Sequence, residues 1–212
     1  MMDIHNFFPI PVGTIHIDEV LNQKILEFIK IKQLNLETNN GGGGNSISSD
    51  VYILDKEEFS DIKQVLTESV NEYFKEIVNP GKDTKLYITN SWINVNKNGE
   101  SHHQHKHTNS IVSATLYLDT CEGDTISFIN QNNELFGNLD FSNNPPTKYM
   151  TSEWTAPAII NTLMIFPSTV PHGVNRRPNT CTGTRVSLSF NTWIKGKIGG
   201  GQGETSNTLH FY

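Results

Sequence analysis

The chain has 212 residues and a mass of 23.8 kDa, which suits one domain of ordinary to large size, or at most two small ones. With 35% hydrophobic residues, 18% charged residues and a net charge of −6, it has too much apolar content for a disordered chain. It is also too acidic for a nucleic-acid backbone or an anionic membrane to be the expected main partner. No apolar run approaches the ~20 residues of a spanning helix. Residues 1–13 carry neither a basic segment nor a long apolar one, so no signal peptide is expected. Two cysteines, Cys121 and Cys181, exclude a disulfide scaffold and leave a reducing cytoplasm as the expected location.

The first third, residues 1–80, reads as helical. Asp18 is placed to cap a helix whose apolar residues Leu21, Ile25, Phe28 and Ile29 recur at helical spacing. The run Gly41–Gly44 is followed by Asn45-Ser46-Ile47 rather than Gly-Lys-Ser/Thr, so it reads as a flexible loop and not a phosphate cradle. A second helix is predicted from Asp55, with Glu58 completing a capping box. Its stripe is Phe59, Ile62, Leu66, Val70, Tyr73 and Ile77, and Asn79-Pro80-Gly81 ends it.

From about residue 85 the period changes to two. Short strands are predicted at 85–88, 92–96, 113–118, 125–128, 163–166 and 185–190, a spacing that suits a β-sandwich or jelly roll over about 85–195. The Asn- and Pro-rich stretch 130–152 reads as a long hairpin or loop over one end. With Trp154 it is a candidate lid or substrate wall. The tail around Gly199–Gly203 reads as mobile, with 209–212 able to dock.

Several strands have one polar face. Arg185, Ser187, Ser189 and Asn191 share a face opposite Val186, Leu188 and Phe190. Asn94 and Asn96 share another, as do Ser113, Thr115, Tyr117 and Asp119. Such faces lie either in water or inside a barrel around a polar ligand. Four histidines fall in six residues, His102, His103, His105 and His107. In an extended strand the last three line one side and His102 the other. Imidazoles at i and i+2 can bite one metal ion, since neutral imidazole suits Zn, Cu, Fe and Ni. A single His172 follows the apolar strand ending in Phe166-Pro167-Ser168. Arg185 then opens a strand with Ser187 two residues on, and an inward arginine is costly unless it meets an anion such as a carboxylate.

These motifs, in this order, resemble the Fe(II)/2-oxoglutarate-dependent oxygenases, and within them a small bacterial and phage family. The matching segments are Trp92-Ile93-Asn94, Gly99, 105–110, Ser113 to Tyr117, 166–168 with His172, and 185–191, covering about residues 90–193. The opening 8–11 and the helices resemble the family less specifically.

The resemblance implies a mainly β fold, a double-stranded β-helix (jelly roll, cupin-like) flanked by N-terminal helices, as one oxygenase-like domain over 1–212. It turns the polar faces inward. It implies Fe(II) held by His105, His107 and His172. It implies 2-oxoglutarate as co-substrate, with Arg185 on the far carboxylate, Ser187 and Tyr117 assisting, and Asn94 in the same pocket. Decarboxylation of that co-substrate would drive oxidation of a C–H bond, with hydroxylation of a further substrate as the default. Open strand edges and apolar helix faces leave room for a homodimer. For a phage-encoded chain the location would be the host cytoplasm.

Two departures stand out. His107 occupies the position where the wider superfamily has a carboxylate: either it is a third neutral ligand, or the metal keeps a water, halide or substrate group there, with Glu100 or Asp119 swinging in as the less favoured alternative. Asn161 stands where relatives often carry Gly, and Asn tolerates left-handed backbone angles. A register shift would pair His103 with His105 instead, but Asn109-Ser110 downstream favours His105 and His107. The competing classes are a metal-binding jelly-roll module, which needs no Arg185, and a three-His dioxygenase that works without 2-oxoglutarate.

Overall fold

The computed structural model describes residues 3, 9–32, 34–39, 41, 43–131, 145, 147–200 and 207–212. In chain order the elements are β1 Gly13–His16, α1 Glu19–Lys32, β2 Leu36–Thr38, β3 Ser46–Ser48, short 3-10 turns at Ile53–Asp55 and Glu57–Phe59, and α2 Ser60–Val78. Then come β4 Thr84–Asn96, β5 His102–His105, β6 Val112–Asp119, β7 Thr125–Ile129, β8 Glu153–Pro157, β9 Thr162–Pro167, β10 His172–Val174, β11 Arg185–Ile198 and β12 Leu209–Phe211. Two antiparallel sheets face each other. The major sheet runs β1-β9-β6-β11-β4-β3-β2, with β12 paired to β11. The minor sheet runs β5-β10-β7-β8. This is the mainly β, helix-flanked jelly roll that the strand pattern and the resemblance implied.

The alternation along the major strands separates two environments. Ile93, Val95, Ala114, Leu116, Val186, Leu188 and Phe190 point outward and pack under the helices with Ile25, Phe59, Ile62, Leu66 and Val70. Each fully buried Ile, Leu, Val or Phe among them contributes about 1.5–3 kcal/mol of transfer free energy. The alternate residues Asn94, Asn96, Ser113, Thr115, Ser187, Ser189 and Asn191 are also buried, but between the sheets. A smaller apolar cluster of Tyr117, Ile126, Phe128, Met164 and Phe166 closes that interior.

Several elements differ from the sequence reading. The expected capping box at Asp55 does not form. The chain makes two 3-10 turns first, and α2 starts at Ser60 with no side-chain cap. Ile77, expected on the buried stripe, is exposed beside the helix end, while Asn79 closes α2 in the left-handed conformation, its N–H bonded to the Lys75 carbonyl. The two strands predicted at 85–88 and 92–96 are one 13-residue strand. Polar Thr89 falls at a bulge opposite Asn191/Thr192, which breaks the alternation without breaking the strand.

Asp18 does cap α1, its carboxylate accepting from the Val20 N–H at 2.7 Å. Asn161 does adopt a positive φ of 62° at the turn into β9. The C-terminal segment docks as β12. Most of the 130–152 stretch, and 201–206 of the tail, lie outside the described residues.

Gly41, Gly43 and Gly44 lie between β2 and β3, against residues 100–103. The Ser101 N–H bonds the Gly43 carbonyl at 2.8 Å. A Cβ on Gly43 would fall 2.3 Å from the Ser101 carbonyl oxygen, and φ there is +99°. The run thus permits close backbone approach. Cys121 and Cys181 are joined as a disulfide across 60 residues, a single cross-link and not a scaffold. Among the described residues no helix is long and apolar enough to cross a membrane.

Candidate metal centre

The minor sheet carries the histidines to the mouth of the interior. On β10, His172 pairs with His105 of β5 on one side and with Phe128 of β7 on the other. Simple alternation would put His102 on the far side of β5, but a bulge intervenes. His172 opposes His105 while Val174 opposes His102, so the four residues 102–105 of β5 lie across the three residues 172–174 of β10. His102 and His105 therefore both line the cavity, and their rings stack at 4.5 Å.

His107 lies beyond the end of β5, where its N–H is held by the Ser168 carbonyl at 3.1 Å. Its Nε2 stands 3.2 Å from Nε2 of His172. One ring nitrogen from each of His105, His107 and His172 lies within 4.8 Å of the others. Two nitrogens bound side by side to one ion at ~2.1 Å sit about 3 Å apart, so the observed separation fits a shared metal.

The outer nitrogens are also set. His105 Nδ1–H donates to the His103 carbonyl and His172 Nδ1–H to the Val170 carbonyl, both at 2.9 Å. Each bond fixes the tautomer and leaves the Nε2 lone pair directed inward. Burial first, and then the neighbouring imidazoles, push His107 down to about 3. Burial likewise takes His172 to about 4 against the bond to Val170, and lowers His105. All three rings are therefore neutral at neutral pH, the state that binds metal.

His102, His103 and His105 form a second cluster, but Asn39 Nδ2 donates to His102 Nε2 at 3.0 Å and occupies that lone pair. The indole of Trp92, which sequence reading used only as a family marker, lies 5.6 Å from the His107 ring and donates to Asn94 Oδ1 at 3.3 Å. Trp154 is 53% exposed on β8 and stacks on Phe128 at 5.9 Å, so it stands at the rim.

At the other end of the polar face are two buried arginines with contrasting surroundings. Arg177 donates to both carboxylate oxygens of Asp124 at 2.8 and 3.2 Å, to Asn98 Oδ1, and to the carbonyls of Asn96 and Gly183. Asp124 also accepts from the Cys121 N–H. This pair ties the β6–β7 turn to the segment between His172 and Arg185. Sequence reading gave neither partner a role, because an exposed and a buried ion pair look alike in sequence.

Arg185 is 2% exposed, yet its Nε and Nη1 have no hydrogen-bond partner. Its guanidinium carbon lies 5.3 Å above the Tyr117 ring. Tyr117 is fully buried, and burial raises its hydroxyl pKa against the lowering influence of Arg185. Ser187 shares the face of Arg185. Asn94 has its amide engaged, Nδ2 on Ser189 Oγ at 3.0 Å and Oδ1 on Trp92. Two further residues around the cavity had no individual role assigned from sequence. Ser168 bonds Ser110 at 2.7 Å and Ser113 at 2.8 Å, bracing the turn before His172. Asn96 stands directly across from Arg185.

The donor sets fit two ligands of different kinds. Three neutral, preoriented imidazoles suit a divalent transition-metal ion. A buried guanidinium with two free N–H groups suits a carboxylate.

Residues 90–191 match the family model described as "Putative 2OG-Fe(II) oxygenase". No curated protein matches the sequence. Among solved structures, a Pseudomonas putida prolyl-4-hydroxylase is similar at 14% identity and TM-score 0.58, over 86% of this chain and 92% of that one. HygX from Streptomyces hygroscopicus, with nickel, 2-oxoglutarate and hygromycin B bound, is similar at 10% identity and TM-score 0.58, over 86% and 82%. A prolyl hydroxylase from Trichoplax adhaerens, in complex with a hypoxia inducible factor peptide fragment, is similar at 14% identity and TM-score 0.54, over 86% and 83%.

Proposed function

We propose that this chain, whose residues 90–191 carry the 2OG-Fe(II) oxygenase family domain, is a hydroxylase in which His105, His107 and His172 hold Fe(II) and Arg185 anchors 2-oxoglutarate. The observation that carries the reading is the contrast between the two buried arginines. Arg177 is fully partnered, while Arg185 keeps Nε and Nη1 free in the same interior. A charge buried this way costs several kcal/mol unless an anion meets it. A metal-binding module or a three-His enzyme working without a dicarboxylate would gain nothing from it.

Bound iron and 2-oxoglutarate supply dioxygen activation coupled to decarboxylation of the co-substrate. The chain's own residues do the rest. The carbonyls of His103 and Val170 hold two imidazoles in the ligating tautomer. Three neutral ligands leave a divalent ion at its full formal charge, which favours an anionic co-substrate. Arg185, helped by Ser187, orients that co-substrate along the polar face of β11. Tyr117 lies under the guanidinium and holds it over the pocket. Phe128 and Phe166, beside His172, exclude water from the metal side. Trp92 and Trp154 flank the mouth, where the substrate's C–H bond would be presented. We read 1–212 as one unit, because α1, α2 and the major sheet share one apolar core.

The test is an anaerobic Fe(II) titration with and without 2-oxoglutarate, following the visible charge-transfer band of a chelated 2-oxo acid. The band should require both components and disappear in H105A and H172A. R185A should keep iron and lose 2-oxoglutarate. Unchanged 2-oxoglutarate binding in R185A overturns the reading.

A further inference from the structure

We propose that Asn96 is a second anchor for the far carboxylate of the co-substrate, and that Asn96 and Arg185 together make the pocket selective for a dicarboxylic 2-oxo acid. The inference rests on the function proposed above and assigns a role to a residue outside its ligand set. Asn96 ends β4 and pairs with Arg185 at the start of β11, so the two side chains stand on the same face of the sheet. Both are 2% exposed, and both line the cavity that the histidines close at its other side.

Asn96 Nδ2 has no hydrogen-bond partner, and neither do Arg185 Nε and Nη1. Three buried N–H-bearing nitrogens on these two cross-strand neighbours thus meet no protein acceptor. Buried amide donors are nearly always paired, so such a cluster calls for an acceptor-only ligand. A carboxylate has two oxygens and about four lone-pair sites, enough for three donors.

The surroundings separate this amide from its neighbours. Asn94, one row along the same face, has its amide engaged with Ser189 and Trp92. The nearby carboxylate of Asp124 is committed to Arg177 and to the Cys121 N–H. The main chain of Asn96 is fixed, since its carbonyl accepts from Arg177 Nη1 at 3.3 Å. Arg177 also holds the Gly183 carbonyl, two residues before Arg185. One buried guanidinium therefore ties together the main chain at Asn96 and the main chain two residues before Arg185.

The test uses the full chain loaded anaerobically with Fe(II) to equal stoichiometry. The affinity for 2-oxoglutarate is measured by calorimetry in wild type, N96L and N96D. It is also measured for 2-oxopentanoate, which has the same chain length and no far carboxylate. N96L should weaken 2-oxoglutarate at least about tenfold, the scale of one hydrogen bond to a charged group, and leave 2-oxopentanoate unchanged. N96D keeps the shape but sets a carboxylate against a carboxylate, and should weaken 2-oxoglutarate at least as much. It decides the matter if N96L does not fold.

Wild-type affinity for 2-oxoglutarate in either folded variant overturns the proposal, as does an equal loss for both acids. If wild type itself binds iron but no 2-oxoglutarate, the proposed function falls with it. If R185A loses 2-oxoglutarate while N96L and N96D keep it, only the role of Asn96 falls.

Discussion

Replacing Arg185 with methionine in the metal-free protein should raise its melting temperature, although the same change should abolish co-substrate binding. The folded chain keeps two guanidinium nitrogens buried and unbonded. Each unsatisfied donor costs about 1–3 kcal/mol, and more when charged. Against this stands the contact with the Tyr117 ring at 5.3 Å, worth up to about 2 kcal/mol. Methionine replaces the arginine stem and keeps contact with that ring. The net expectation is a gain of about 1–3 kcal/mol, or roughly 2–12 °C for a chain of this size. The same substitution at Arg177 should do the reverse. It would strand Asp124 in a buried site and cost about 3–5 kcal/mol. Thermal unfolding of R185M and R177M by circular dichroism, in chelator, measures both. If R185M is destabilised as much as R177M, Arg185 is a structural residue and the argument from its free nitrogens fails.

Three further outcomes are expected. His107→Asp should retain Fe(II) but bind 2-oxoglutarate about tenfold more weakly, because a carboxylate lowers the charge facing the incoming dianion; anaerobic titration checks it. Reducing the Cys121–Cys181 bond should lower stability by up to about 4 kcal/mol, the chain-entropy value for a loop of 60 residues; denaturant unfolding with and without reductant measures this, with C121S as the control insensitive to reductant. Metal-free protein should lose stability in acid, since burial holds His107 near 3 and His172 near 4 in the folded state against 6.5 for the free side chain. The unfolded chain then takes up protons that the folded chain refuses. Stability is full above about pH 6.5 and falls toward pH 4 by about 1.4 kcal/mol per pH unit for each ring, which urea titrations across that range would register.

The strand pattern and the order of motifs made much of this molecule readable in advance. Arg185, Ser187 and Ser189 alternate with Val186, Leu188 and Phe190 because one face meets a polar interior and the other the helices. What escaped the reading were irregularities and pairings. The bulge between β5 and β10 turns His102 toward the cavity, and no local residue type announces it. Thr89 interrupts the alternation of β4 at a second bulge, so one strand looked like two. Asp55 and Glu58 have the spacing of a cap but fall in 3-10 turns, where packing of Ile53, Leu54 and Phe59 sets the path. Arg177 and Asp124 lie 53 residues apart, and only the fold shows that they meet. Asn96 looked like any polar strand residue until its cross-strand neighbour was known.

The two-sided character of β11 bears on how such a chain can change length. Deleting one residue within 185–190 would exchange the faces of the strand residues on one side of the deletion, turning apolar residues there toward the cavity and polar ones toward the helices. Core and chemistry would be lost in one step. Deleting or inserting two residues would preserve the alternation and move Arg185 by about 6–7 Å along the strand relative to the histidines. The strand therefore acts as a ruler graduated in pairs of residues, and under the proposed function the position of Arg185 on it would set the length of the diacid able to touch both Arg185 and the metal centre.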